Sequence, residues 1–485
     1  MNYEKNLMRI LSLLIAVFFT FTCVYGDVDY DVCILGSGAA GMSAAAFLKD
    51  KDYNVIVFEK QSEIGGYCQT RFFDLPPFIP PGSPNWIELG VIIFENSTTA
   101  NANGNGNWAL DTVAFANRFA TGYANGFAIP IDLTGFGQMY NVSLTLGINY
   151  GPRNNTPTPE FQEAFFRLYT YLQQYPWINN AEWPDPIPSE LLVPFSQFIE
   201  DNNFQILGPS FFRNSIFSGG VFDYDNTPAI YALGSVTPAI LGFTFIPNSM
   251  FTMFNGCSQI YQGINNYIGG VVTDAQIIRV KRKNNNIKLD VIVDGVLKKY
   301  KCGKLIVAYP QLLEDIYYLD LDRCEINVFK NARNFYYYSS EISVNGPLSV
   351  GQSFTIFNVN QNNTYGYPDL PADILVGRNL PYGPGYSFGG SINPISQDSM
   401  YAIMQGQLNN MPPDLLTNIT ITERAPHDKF LAHFTKESLL QSPNIYTRLK
   451  NLQGHRNTYW LGTLRNYADS AILWDQSYKF VQEYF

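Results

Sequence analysis

The chain has 485 residues, 15% of them charged and 15% aromatic; this is too long for one small core and too apolar for a disordered chain. Its net charge of -10 at pH 7 makes nucleic acid and anionic membrane poor partners. A packed protein of two domains with apolar clefts is expected.

Residues 1–26 read as a secretory signal peptide. Lys5 and Arg9 precede the apolar run ILSLLIAVFFTFTCVYG, and Val24 and Gly26 supply small residues before Asp27. The run is short for a bilayer span and no later segment is apolar enough, so no stable membrane span is expected. Export gives weight to the Asn-x-Ser/Thr sequons at Asn96, Asn141, Asn154, Asn362 and Asn418, which should lie glycosylated on exposed loops. After cleavage Cys33, Cys68, Cys257, Cys302 and Cys324 remain, an odd and sparse set that allows at most one or two bridges. Three histidines (His427, His433, His455) and no Cys-x-x-Cys leave no expected metal site.

The mature chain opens with YDVCIL (30–35), a short apolar run that predicts a buried strand. AAGMSAAAFLKD then predicts a helix, and NVIVFEK (54–60) a second buried strand. Between the first strand and the helix stand Gly36, Gly38 and Gly41 in the pattern G-x-G-x-x-G. Strand, glycine turn, helix, strand and acid together make a dinucleotide-binding βαβ unit. Gly36 permits the tight turn, Gly38 lets backbone approach a pyrophosphate on the amides near Ala39 and Ala40, and Gly41 lets helix pack on strand. Glu59, followed by Lys60, closes the second strand where a carboxylate can accept both hydroxyls of an adenosine ribose.

Further along, NANGNGN (101–107) reads as a flexible loop, and PEFQEAFFRLYTYLQQY and PSELLVPFSQFIEDN as amphipathic helices of an inserted domain. Residues 269–310 read as a β-meander followed by the buried strand KLIVAYP. Ile287, Leu289, Val291 and Val293 alternate with polar residues there, and Asp294-Gly295 is a hairpin turn. GYSFG (385–389) fits the nucleophile-elbow pattern of serine hydrolases, but the glycines and prolines around it predict a loop. TYWLG predicts a strand and SAILWDQSYKFVQEYF a terminal helix.

A second glycine pair, Gly65 and Gly66 in GGYCQT, follows the ribose acid sooner than a nicotinamide fold requires. With it, the stretch DVCILGSGAAGMSAAAFLKDKDYNVIVFEKQSEIGGYCQT resembles the amino end of the flavin-containing amine oxidase superfamily. IELGV resembles that family's strand beside the flavin, around Gly90 and Val91. SMFTMFNGCSQIYQGI resembles the segment leading into the meander near Val272, and the carboxyl-terminal stretch the last flavin-binding segment, with Gly462 and Thr463. LLVPFSQFIEDN and VFDYDNTPAIYAL, with Phe222, Asp223, Pro228, Ala229 and Tyr231, resemble a branch containing FAD-dependent polyunsaturated fatty-acid double-bond isomerases.

The resemblance implies an α/β fold: a Rossmann-type FAD-binding domain with a β-meander (27–105, 250–315, 446–485) and an inserted α+β substrate domain (106–249, 316–445). It departs at two positions. Thr463 stands where the family has an acid near the ribityl chain, and Tyr67 where it commonly has an arginine. No cysteine follows Cys324, so the FAD is expected to be non-covalent. Arg118 and Arg213 are candidate substitutes for a carboxylate-binding arginine. Phe245 and Phe251 are candidates to line an apolar pocket over the ring, and the final helix is expected to open near the pyrimidine end. The expected function is flavin hydride chemistry on a lipophilic small molecule, by a secreted oxidoreductase or isomerase without a nameable general base. An amine oxidase releasing peroxide and a non-catalytic flavin-fold binding protein stay open as alternatives.

Overall fold

The computed structural model describes residues 28–120, 128–130, 137–153, 156–180, 182–242, 246–283, 286–349, 351–465 and 469–485. Residues 1–26, expected to be a signal peptide, and Asn154 and Phe245 lie outside them. The first sheet is built on β1 (Tyr30–Leu35), whose buried apolar residues are followed by the glycine turn, α1 (Ala39–Asp50) and β2 (Val55–Phe58). β3 (Val271–Val272) lies parallel to β2, and a meander follows: β4 (Gln276–Lys283), β5 (Asn286–Val293) and β6 (Val296–Val307). The order is β3-β2-β1-β6-β5-β4, with β7 (Thr458–Trp460) beside β6.

Asp294 and Gly295 both have positive φ, 53° and 74°, and form the two-residue turn between β5 and β6. The meander's third strand and the predicted buried strand are one element, because β6 runs unbroken until Leu305–Val307 pair in parallel with β1 on one side and β7 on the other. The final helix, α2 (Ser470–Tyr484), packs over α1, and Ser477 Oγ donates to Ala40 O at 3.2 Å.

A second seven-stranded sheet holds, in order, Ile421–Phe434, Ala332–Ile342, Gly385–Ser391, Ala372–Arg378, Phe354–Asn358, Gln138–Ser143 and Ile148–Pro152. GYSFG is therefore neither loop nor elbow. Pairing with strands on both sides holds it extended despite its glycines, and the buried Ser387 Oγ donates to Asp373.

Other local expectations are corrected by polar side chains and proline. Residues 101–102 finish the helix Ser97–Ala102, and Asn105 is buried with its Oδ1 accepting from Tyr169 OH at 2.7 Å, so NANGNGN is not simply a loop. Pro194 divides PSELLVPFSQFIEDN into a short 3-10 turn and the helix Phe195–Asp201. Asn362 and Asn418 are exposed. Asn96 instead caps a helix and Asn141 lies in a strand, both half-buried, so neither is on an exposed loop. Cys33–Cys302 and Cys68–Cys257 are disulfide-bonded, and Cys324 is exposed and free.

Candidate active site

The carboxyl ends of β1 and β2 open onto a cleft of about 340 Å³, the place where parallel α/β sheets bind ligands. Gly36, Gly38, Ala39, Ala40, Glu59, Lys60, Gly65, Gly66, Tyr67, Val91, Gly462 and Thr463 all line it. Gly36 has φ +101° and turns the chain; Gly38 and Gly66 meet backbone to backbone, leaving amides rather than side chains facing the cleft.

Gly41, Gly90 and Val272 do not line the cleft. A Cβ on Gly41 would stand 2.0 Å from Gly36 O, and one on Gly90 1.8 Å from Tyr67 O, so both glycines permit close backbone packing one layer behind the wall. Val272 O accepts from Glu59 N at 2.8 Å and fixes the end of β2.

Glu59 is buried and its carboxylate is already organised. Ser37 N and Ser37 Oγ both donate to Oε2 at 2.9 Å, and Gln61 N donates to Oε1 at 3.0 Å. A carboxylate has about four acceptor positions. One is left open, and accepting a second ribose hydroxyl requires the Ser37 hydroxyl to rotate away.

Two other polar atoms fit a bound cofactor. Gln69 Oε1 and Thr463 Oγ1 are buried without a partner, and both residues line the cleft. Buried polar groups are normally paired, so a ligand with polar groups along its length suits them. The α2 amino end also borders the cleft, through Ser470 and Leu473. Asp469 caps it, accepting from Ile472 N at 2.9 Å, and burial pushes its carboxyl up to about 6.

The sequence reading missed the opposite wall: Tyr309, Asp315 and Tyr318 after β6, and His427, Asp428 and Lys429 in the second sheet's edge strand. Tyr67 joins the two sides. Its OH donates to Lys429 O at 2.7 Å, and its ring packs on His427 and Phe430 at 4.7 and 5.1 Å. Burial pushes the His427 imidazole down to about 4, so it is neutral near pH 7; its Nε2 donates to Leu89 O at 2.8 Å. Lys429 pairs with Asp315 at 3.3 Å.

Phe251, a pocket candidate, and Arg118 and Arg213, the candidate carboxylate-binding arginines, do not line the cleft. Phe251 is 2% exposed and stacks on Phe94 in the core, because the strand Met250–Met253 pairs with Phe94–Glu95 and directs that side chain inward. Arg118 is committed to Asp50 on the surface, through bonds of 2.8 and 2.6 Å.

Beneath the cleft, burial pushes the Glu88 carboxyl up to about 8, against the bonds it accepts from Cys257 N (2.7 Å) and Thr70 Oγ1 (2.9 Å). The folded protein holds this proton more tightly than the unfolded chain, where the group titrates near its ordinary 4.5. Its contribution to stability is therefore full below about pH 4.5 and is lost as pH rises towards 8. Denaturant unfolding between about pH 5 and 8.5 should show a fall of roughly 2–4 kcal/mol that Glu88→Gln flattens. An identical profile in the variant would rule out Glu88 as the source.

Residues 34–104 match the model of the NAD(P)-binding Rossmann-like domain family. An uncharacterized protein of Acanthamoeba polyphaga mimivirus is 30% identical, covering 98% of each chain. An FAD-dependent oxidoreductase of Colletotrichum higginsianum is 26% identical over 92% of this chain and 91% of its own. The chain shares its family with the mimivirus protein and is an FAD-dependent oxidoreductase. Solved structures show the same fold. A fatty acid isomerase from P. acnes superposes with a TM-score of 0.72 at 18% identity, covering 94% of this chain and 99% of its own. Cyclohexylamine oxidase from Brevibacterium oxydans superposes at 0.62 and 13%, covering 94% and 99%. In this FAD-dependent oxidoreductase, the glycine turn, Glu59, Gln69 and Thr463 would hold the cofactor. Among the described residues no acid, His or Cys cluster suits a metal, and no helix is long and apolar enough to cross a membrane.

Proposed function

We propose that this oxidoreductase works in the secretory pathway or outside the cell, on a lipophilic small molecule, with non-covalently bound FAD. FAD supplies hydride acceptance and return at its ring. The chain's own residues bind, orient and exclude water. Glu59 and the turn amides anchor the nucleotide end, and Thr463 and Gln69 offer hydrogen bonds further along the cleft.

One observation carries the substrate reading. The rings of Tyr67 and neutral His427, backed by Phe430 and Tyr337 (rings 4.9 Å apart), offer aromatic surface, and the cation beside them, Lys429, is paired with Glu314 and Asp315. Such a wall favours an apolar substrate whose reacting C–H bond is held away from water. The disulfides and the exposed Asn362 and Asn418 fit an oxidising compartment. Non-covalent attachment is supported by Cys68, which stands between the cleft-lining Tyr67 and Gln69, being tied to Cys257.

A second reading, amine oxidation with peroxide release, is favoured by Asp428. It lines the cleft while its neighbour Lys429 pairs with Glu314 and Asp315. A carboxylate there could offset the cost of burying an ammonium.

Anaerobic mixing with polyunsaturated fatty acids and their esters, terpenoids, aromatic amines and polyamines separates the two. The expected result is flavin bleaching, or double-bond migration without net reduction, in the lipid half of the panel. Bleaching by amines alone, with stoichiometric peroxide on adding air, would establish the amine reading instead.

A further inference from the structure

Outside the cleft, two guanidiniums beside the second sheet have no counter-charge among the described residues. Arg213 stands on the helical segment Gly208–Phe217 and is 5% exposed. Arg153 follows the edge strand Ile148–Pro152 and is half-buried. Both lie against the Phe357 ring, 5.6 and 5.7 Å from its centroid. Arg213 Nη2 donates to Asn141 Oδ1 at 3.0 Å and Nε to Asn214 Oδ1 at 3.5 Å, both neutral acceptors. Arg153 Nη1 is buried with no acceptor.

Among the described residues no carboxylate pairs with either arginine. Burial, and then the charge of Arg153, push the Arg213 guanidinium down to about 10. Arg378 shows how this protein satisfies a buried arginine without an acid: its donors go to the carbonyls of Leu348, Ser349 and Gln352. Arg213 is partly satisfied in this way by the two asparagine oxygens, whereas Arg153 Nη1 has no acceptor and neither arginine has an acid. Buried like charges with an open donor are costly unless an anion completes them.

We propose that Arg153 and Arg213 form an oxyanion-binding site, taking a phosphate or carboxylate group between the two guanidiniums beside Asn141. The planar fork of each guanidinium suits two oxygens of one such group. Gly366, with φ +70°, packs close to Arg213, and a Cβ there would stand 3.3 Å from Nη1. The site stands independently of the substrate reading.

The test titrates the flavin-loaded protein with sodium phosphate and, separately, sodium hexanoate, each against sodium chloride at matched ionic strength. The readout is the thermal midpoint. A saturable rise of roughly 2–4 °C beyond chloride is expected, absent in Arg153→Gln and partly kept in Arg153→Lys. Arg153 is half-buried, so both variants should fold, and retained flavin absorbance checks this. A rise with phosphate alone identifies a free anion as the ligand; a rise with hexanoate identifies the carboxylate of a chain-bearing molecule. No rise beyond chloride, or an equal rise in Arg153→Gln, would overturn the proposal.

Discussion

Gly38→Ala is expected to give a folded protein that fails to retain FAD, whereas Gly41→Ala, three residues on, is expected to compromise the fold. The motif is the same but the surroundings differ. A Cβ on Gly38 meets only Gly66 Cα at 3.9 Å, and its φ of -71° suits any residue, so the protein accommodates the methyl. The residue lines the cleft, where the methyl stands between the backbone amides and an approaching pyrophosphate. FAD affinity should fall by about 100-fold or more, while stability changes by no more than about 1 kcal/mol. On Gly41 the methyl meets the Gly36 carbonyl oxygen at 2.0 Å, and the turn between β1 and α1 must open. A loss of roughly 3 kcal/mol or more is expected. Flavin content and the urea midpoint, measured on both variants, check the contrast. Full flavin in Gly38→Ala would mean that the pyrophosphate does not cross that backbone.

Glu59→Ala should release FAD almost as completely. The lost carboxylate removes the ribose acceptor and the partner of Ser37 N. Charge-assisted bonds contribute about 1.5–3 kcal/mol each, so losing two predicts a roughly 100- to 10,000-fold weaker FAD complex. The orphaned Ser37 amide costs a further 1–3 kcal/mol or so of stability. Glu59→Gln separates the effects, since its carbonyl oxygen can still accept from Ser37 N, restoring most of the stability but not the ribose contact. Titrating FAD into the deflavinated proteins checks this, and an unchanged dissociation constant in Glu59→Ala would displace the adenosine from β2.

The cofactor half of the cleft was legible because its pieces are consecutive in the chain. The turn, Glu59 and the Gly65–Gly66 pair fall within about thirty residues, and each has a local signature. The facing wall has none. His427 and Asp428 reach the cleft only because the strand Ile421–Phe434 pairs with Ala332–Ile342, a long-range register that no window of sequence contains. Tyr309 was closer to hand, since the carboxyl end of a parallel strand is where ligands bind, and KLIVAYP ends there. Phe251 failed as a pocket residue for the opposite reason. An aromatic-rich stretch has the same composition whether it faces a ligand or a core, and here Phe94 takes the ring. GYSFG misled because its glycines read as breakers, although strands on both sides hold it extended.

The most direct test of a non-covalent FAD site at this cleft is the absorption spectrum of the purified protein before and after acid precipitation. Flavin bands are expected in the native protein and free FAD in the acid supernatant, with a colourless pellet. A protein without flavin bands that gains none on incubation with FAD would contradict the assignment of the cleft. Colour that stays with the pellet would contradict non-covalent attachment, and peptide mapping would then begin at Cys68.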